Sequence, residues 1–168
     1  PVTSIAAAVS ALSEDKIKAG LIFNFINFTR WPEAAFVDTS AAYTICIVDK
    51  NDYPEIFNII TTQSIHERKV RIQKVEPLFE TESIKACHVL VILLKDKKDK
   101  NEILAAVNQL PILTIAESDD NKDFSAMINL IKDDDMIGFT INRNQAKLSG
   151  IEFSSKMLRL AINVVGGN

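Results

Sequence analysis

Tyr43–Asp49 (YTICIVD) is β-branched and apolar throughout, with none of the alternation of a strand that has one wet face. Such a run predicts a strand covered on both sides, the kind that parallel sheets require. His88–Leu94 (HVLVILL) repeats the pattern, and Ile112–Ala116 is a shorter version behind Pro111. Between them, Val70–Glu76 (VRIQKVE) alternates and predicts an edge or half-buried strand. The intervening segments read as helices over Tyr53–Thr61, Glu82–Ala86 and Lys97–Leu110. The last of these is amphipathic, with Ile103, Leu104 and Val107 on its inner face. The alternation β-α-β-α-β-α-β implies a mostly parallel sheet with helices on both faces.

Downstream the pattern changes. Ala126–Lys132 (AMINLIK) and Met136–Asn142 (MIGFTIN) flank the acidic turn Asp133–Asp135 and predict a β-hairpin. Arg143–Leu148 follows as a short helix ended by Gly150. Ser154 or Ser155 caps a last helix whose apolar side is Met157, Leu158, Ala161, Val164 and Val165. Upstream, Ser13 caps a helix that runs to about Phe28, with Glu14 and Asp15 in its first turn. Ile17, Leu21, Ile22, Phe23, Phe25, Ile26 and Phe28 cover most of its circumference, leaving a polar or small stripe of Lys16, Gly20, Asn24 and Asn27. Pro32 biases Trp31 out of helical geometry and stops the helix there. The expected fold is a three-layer α/β sandwich with a mostly parallel central sheet, ending in a β-hairpin and a helix. Residues 1–168 form a single domain in this reading, with 1–12 a leader remnant or a loose N-terminus. Pro1 is not an initiator Met, so the chain is expected to be processed, truncated or cut.

Composition excludes several classes. Among 168 residues 47% are apolar and 24% charged, with 5 Gly and 5 Pro, which suits an ordinary globular domain and not a collagen, coiled coil or disordered chain. The formal net charge of −3 carries no clustered Lys and Arg excess of the kind a nucleic-acid surface needs. No apolar run approaches the ~20 residues that span a bilayer, so direct membrane insertion is not expected.

No assembled chemistry is visible. Neither phosphate-binding loop, G-x-x-x-x-G-K-[ST] nor G-x-G-x-x-G, occurs, and Gly166-Gly167 reads as a loose end. His66 and His88 lack a second ligand at metal spacing and read as structural. No Ser or Cys sits in a nucleophile motif, and the acids at Asp119–Asp120 and Asp133–Asp135 lie in polar turns. No catalytic residue, metal ligand or cofactor is therefore assigned, and the chain reads as a non-enzyme. A phospho-acceptor receiver would align Asp49, Asp52, Asp96, Thr114 and Lys132. However, Asp96 sits in a solvated Lys-Asp-Lys-Lys run, and Thr114 lies inside its strand.

Cys46 and Cys87 allow one disulfide or two buried thiols. Cys46 is on the first strand and Cys87 just precedes the third, and these strands are often neighbours in an open α/β sheet. A separation of ~4.8 Å between neighbouring strands suits the Cα distance of a disulfide. Placement thus favours the bridge, which would put the protein outside the cytoplasm.

Several segments together resemble the YfiR-like family. They are Lys18–Pro32 (KAGLIFNFINFTRWP), the cysteine-bearing strand Tyr43–Asp49, Ala86–Leu93 (ACHVLVIL), Pro111–Glu117 (PILTIAE), Met136–Asn142 and Ile151–Ala161 (IEFSSKMLRLA). The helix ending in Trp-Pro, combined with S-S-K-x-L-R-L-A near the end, is the specific part. The chain departs from some relatives in having no second cysteine pair in 117–127, and Ser125-Ala126 stands where Gly-Gly or Gly-Ala is common. The resemblance implies a periplasmic repressor, secreted after signal-peptide removal, that binds the periplasmic sensor domain of an inner-membrane diguanylate cyclase and lowers cyclic-di-GMP synthesis and hence biofilm formation. It also implies an outer-membrane lipoprotein as a second partner.

Interface energy concentrates in aromatic and Arg clusters, which makes Arg30, Trp31 and Phe36 the candidate partner-binding residues. Gly20, Asn24 and Asn27 are the candidate contact of a homodimer, because Gly permits close backbone approach. The rival reading is a periplasmic small-ligand-binding or sensing protein, using the crevice at the strand C-terminal ends. Asp49–Asp52, Lys95-Asp96 and Glu117–Asp120 would line that edge.

Overall fold

The computed structural model describes residues 2–77 and 81–167, with side-chain surroundings over 14–77 and 82–167. In chain order, helix α1 (Val2–Asn27) leads through a two-residue strand β1 (Thr29–Arg30) and a 3-10 turn (Glu33–Ala35) into β2 (Tyr43–Val48). A 3-10 helix (Glu55–Thr62) connects to β3 (Val70–Val75), α2 (Thr81–Ile84) to β4 (Val89–Ile92), and α3 (Lys97–Ala106) to β5 (Leu113–Ser118). The hairpin β6 (Ile128–Asp133) and β7 (Met136–Asn142), then α4 (Arg143–Leu148), β8 (Glu152–Phe153), α5 (Ser155–Leu160) and β9 (Asn163–Val165) follow.

Seven strands share one sheet in the order β3-β2-β4-β5-β6-β7-β9. The first five are parallel, and only the β6–β7 pair is antiparallel. Successive strand residues point to opposite faces, so one sequence run feeds two cores. Ile45, Ile47, Val89, Val91, Leu113 and Ile115 pack with Ile22, Phe25 and Ile26 of α1. Their neighbours Cys46, Val48, Leu90, Ile92 and Ala116 pack on the other side with Ile84 of α2, Ile103 of α3 and Val107 just after it. The doubly apolar strands are thus explained by two helical layers, and the α/β sandwich stands as the sequence predicts.

Four local expectations change. Helix α1 starts at Val2, not at Ser13, because Ile5–Leu12 is rich in the strong helix formers Ala and Leu and continues the helix backwards. The leader reading of 1–12 concerns side chains outside the described residues. The segment after β2 forms a 3-10 helix (Glu55–Thr62) in place of the expected α-helix. The last helix stops at Leu160, and Val164 and Val165 belong to β9, which pairs in parallel with Thr140–Asn142 of β7. The β-branched run Ile162–Val165 prefers a pleated surface, and the free edge of β7 supplies one. Gly166-Gly167 is no loose end: both glycines have positive φ (84° and 108°), and Cβ atoms there would collide with Asn144 and Arg143.

Cys46 and Cys87 are joined in a disulfide with Cα atoms 5.9 Å apart, buried in the layer under α3. It links β2 to the segment just before its neighbour β4.

Candidate functional site

Helix α1 ends beside the N-terminal edge of the parallel strands, and a groove opens there. Its walls include Asn27–Trp31, Phe36, Tyr43, His66, Arg68 and Glu152–Ser154, enclosing about 560 Å³. Strand β1 pairs antiparallel with β8, Thr29 opposite Phe153 and Arg30 opposite Glu152, which closes one side of the groove. Thr29 donates its hydroxyl to the Phe25 carbonyl at 2.5 Å, tying the helix end into the turn.

The structure brings Arg30, Trp31 and Phe36 to this one groove. Arg30 points outward, its side chain 83% exposed, with Glu152 3.7 Å away. Trp31 is the opposite case: it is 7% exposed, and its indole N–H donates to the His88 carbonyl at 3.0 Å. Phe36 stacks flat on the His88 ring (centroids 4.4 Å apart) and meets Tyr43 edge-on at 5.3 Å. The Arg68 guanidinium covers the Phe36 ring at 3.8 Å, a cation–π contact, and donates to the Asp38 and Ala41 carbonyls. A half-buried cation, Arg68, therefore stands over the Phe36 ring while exposed Arg30 lines the same groove, an arrangement that suits recognition of a protein surface.

Four residues of this site were not singled out by the sequence as site residues. Tyr43 opens β2 and His88 directly precedes β4, both in sequence runs that read as core. His66 and Arg68 belong to the turn Ile65–Arg68, where His66 and Glu67 take positive φ (50° and 64°). His66 bridges from this turn, with Nδ1 2.6 Å from the Tyr43 hydroxyl and Nε2 2.8 Å from the Asn27 carbonyl at the end of α1. His88 Nδ1 accepts from the Thr44 N–H at 3.0 Å, and Nε2 faces the Ala35 carbonyl at 2.9 Å. Burial, reinforced by the Arg68 and Arg71 charges, pushes the His88 imidazole below its ordinary value, with the Ala35 hydrogen bond acting the other way. Burial also pushes the Tyr43 hydroxyl up to about 12. No periodicity in the sequence links positions 31, 43, 66 and 88, because the fold alone gathers them.

Gly20, Asn24 and Asn27 lie exposed along one face of α1, and a Cβ on Gly20 would meet nothing within 4 Å. Asn27 also reaches the groove rim. At the opposite edge of the sheet, the acids of the small-ligand reading are partly engaged within the chain. Glu117 holds Lys18 at 2.5 Å, and Lys18 also meets Glu14 at 3.1 Å. Lys50 faces Asp99 at 4.0 Å, Asp52 pairs with Lys74 at 3.1 Å, and Asp96 caps α3 by accepting from Asp99 N–H at 3.0 Å. A second cavity of about 660 Å³ lies there between Lys50, Glu76, Asp99 and Glu102. The receiver alignment dissolves: Thr114 is buried and accepts from the Met127 N–H, and Lys132 pairs with Glu14. Among the described residues no His, Cys, Asp and Glu cluster could hold a metal ion, and no helix is long and apolar enough to cross a membrane.

A family model described as YfiR/HmsC-like matches residues 15–162. Comparison with curated proteins finds no match. The matched span runs from the first turns of α1 that carry described side chains to the residue before β9, so it takes in the groove, the disulfide and both cores. The chain belongs to the YfiR/HmsC-like family.

Proposed function

We propose that this chain is a periplasmic regulator that binds the periplasmic sensor domain of an inner-membrane diguanylate cyclase and holds the enzyme inactive. The observation that carries the reading is the groove, which combines exposed Arg30 with the aromatic floor of Trp31, Phe36 and Tyr43 in a chain of this family. The disulfide supports an oxidising compartment, as the periplasm is. Repression is a matter of differential affinity. Moving a cyclase from 1:99 to 99:1 in favour of its inactive state takes about 5.5 kcal/mol of preference for that state. An outer-membrane lipoprotein competing for the same groove would relieve the repression, and the exposed α1 stripe would serve a homodimer.

Titration calorimetry of the oxidised chain with the periplasmic domain of a diguanylate cyclase encoded beside it tests the reading. Saturable binding that Arg30→Ala weakens is the expected result. No heat of binding from a folded, disulfide-bonded chain would overturn it.

A further inference from the structure

His88 stands beneath the groove with both ring nitrogens in use. Its Nδ1 takes a hydrogen bond from a backbone N–H, Thr44, and its Nε2 gives one to a backbone carbonyl, Ala35. An N–H only donates and a carbonyl only accepts, so these two partners admit one ring state: neutral, with the proton on Nε2. The ring and its backbone also hold the groove together. Ala35 and the stacked Phe36 are bound by the ring, and Trp31 by the His88 carbonyl.

We infer that His88 is a proton-sensitive latch, whose protonation frees the Trp31–Phe36 segment and weakens whatever the groove holds. A proton on Nδ1 would confront the Thr44 N–H, donor against donor. The groups around the ring add to the penalty. The charges acting on it are the cations Arg68, from the 65–68 turn, and Arg71, from β3. Tyr43 on β2 faces the ring edge-on and stays neutral. Glu33 and Glu152 are carboxylates on the groove walls, while Asp38 meets Arg68 through its carbonyl and its charge. His66 is different in kind. Its Nδ1 partner is a hydroxyl, which can donate or accept.

The sign follows from proton binding. The native ring resists a proton that the unfolded chain accepts near the ordinary histidine value of ~6.5. Stability is therefore full above that pH and declines as pH falls through it, by up to about tenfold in the folding constant per pH unit for one proton.

Trp31 is the only tryptophan of the chain, so its emission reports on this segment alone. The experiment follows emission of the oxidised full chain from pH 8 to 5, in the wild type and in His88→Gln and His66→Gln. A Gln amide can replace the acceptor and the donor without titrating. A red shift with a midpoint below ~6.5 is expected in the wild type and in His66→Gln, and none in His88→Gln. Should His88→Gln not fold, ring 15N shifts of the wild type decide: His88 should be the Nε2–H tautomer at neutral pH and protonate below ~6.5. Flat wild-type emission, a shift retained in folded His88→Gln, or a His88 ring charged at neutral pH would each overturn the latch. Its effect on binding rests on the function proposed above, so calorimetry with the cyclase domain is run at both ends of the range. Wild-type affinity should fall by up to about tenfold per pH unit of acidification at its steepest, and that of His88→Gln should hold. Equal wild-type affinity at both ends overturns the regulatory role. A red shift without binding at either pH overturns the proposed partner and leaves the latch standing.

Discussion

At the scale of single residues, buried charge is the feature with the largest consequences. Lys100 is 5% exposed, and its ammonium reaches the Asp123 carboxylate at 3.3 Å and the Glu117 carbonyl at 3.2 Å. Burial alone would raise the Asp123 carboxyl. Hydrogen bonds from the Ser125 hydroxyl and N–H, with Ser118 and Lys100 alongside, instead bring it down to about 2. Since the unfolded value is ~3.9, this contribution is complete above that pH and is lost as pH falls toward 2. It amounts to at most about 2.6 kcal/mol, and less after solvent screening. Urea midpoints measured between pH 5 and 2 should therefore fall less steeply in Asp123→Asn than in the wild type, and parallel curves would contradict this account. Two neighbours in the groove offer a contrast. Trp31→Ala empties a buried site and should destabilise by about 3–5 kcal/mol, which makes it a poor probe of binding. Arg30→Ala removes an exposed side chain and should leave the melting temperature unchanged while weakening partner binding. A large drop in that temperature would show that the Arg30–Glu152 pair is structural.

Among the elements, α1 does most to position the groove. Lys18, Ala19, Ile22, Phe25 and Ile26 face the sheet, while Lys16, Ile17, Gly20, Asn24 and Asn27 face outward. The open space around Gly20 makes a clean experiment possible. A Cβ at Gly20 meets no atom of the described residues within 4 Å, so Gly20→Leu should stabilise the helix by about 0.5–1 kcal/mol through propensity. If the stripe forms a homodimer, the same change should abolish it, so sedimentation velocity separates the two effects. Sedimentation identical to the wild type would dispose of the stripe as a contact. The elements the sequence misjudged are short ones. Strands β1 and β8 have two residues each and no pattern of their own, since they exist only because the end of α1 meets the segment before α5. Likewise β9 has helix-compatible neighbours, and pairing with β7 decides its state.

The whole molecule is held as two cores on either side of one sheet, stapled on the α3 side by Cys46–Cys87. Closing a loop with a sequence separation of 41 residues restricts the unfolded chain by about 4 kcal/mol in the chain-entropy model. Urea unfolding with and without reductant should differ by that amount or somewhat less. A difference below about 1 kcal/mol would mean that the unfolded chain is already compact.

Sequence by itself determined the layers: unbroken apolar strands such as Tyr43–Val48 need cover on both faces, and the amphipathic segments between them supply it. It also brought Cys46 and Cys87 to neighbouring strands, since the strand alternation restricts which strands adjoin. The tertiary structure alone decided the groove and the environment of His88. Hydrogen bonds from Thr44 to His88, from His88 to Ala35 and from Trp31 to His88 span 44, 53 and 57 positions, and local pattern carries no information at such range. A histidine at a strand start looks the same in sequence whether it is solvated or locked between two backbone groups. Only the packing of the 31–36 segment against the sheet edge makes its protonation state matter.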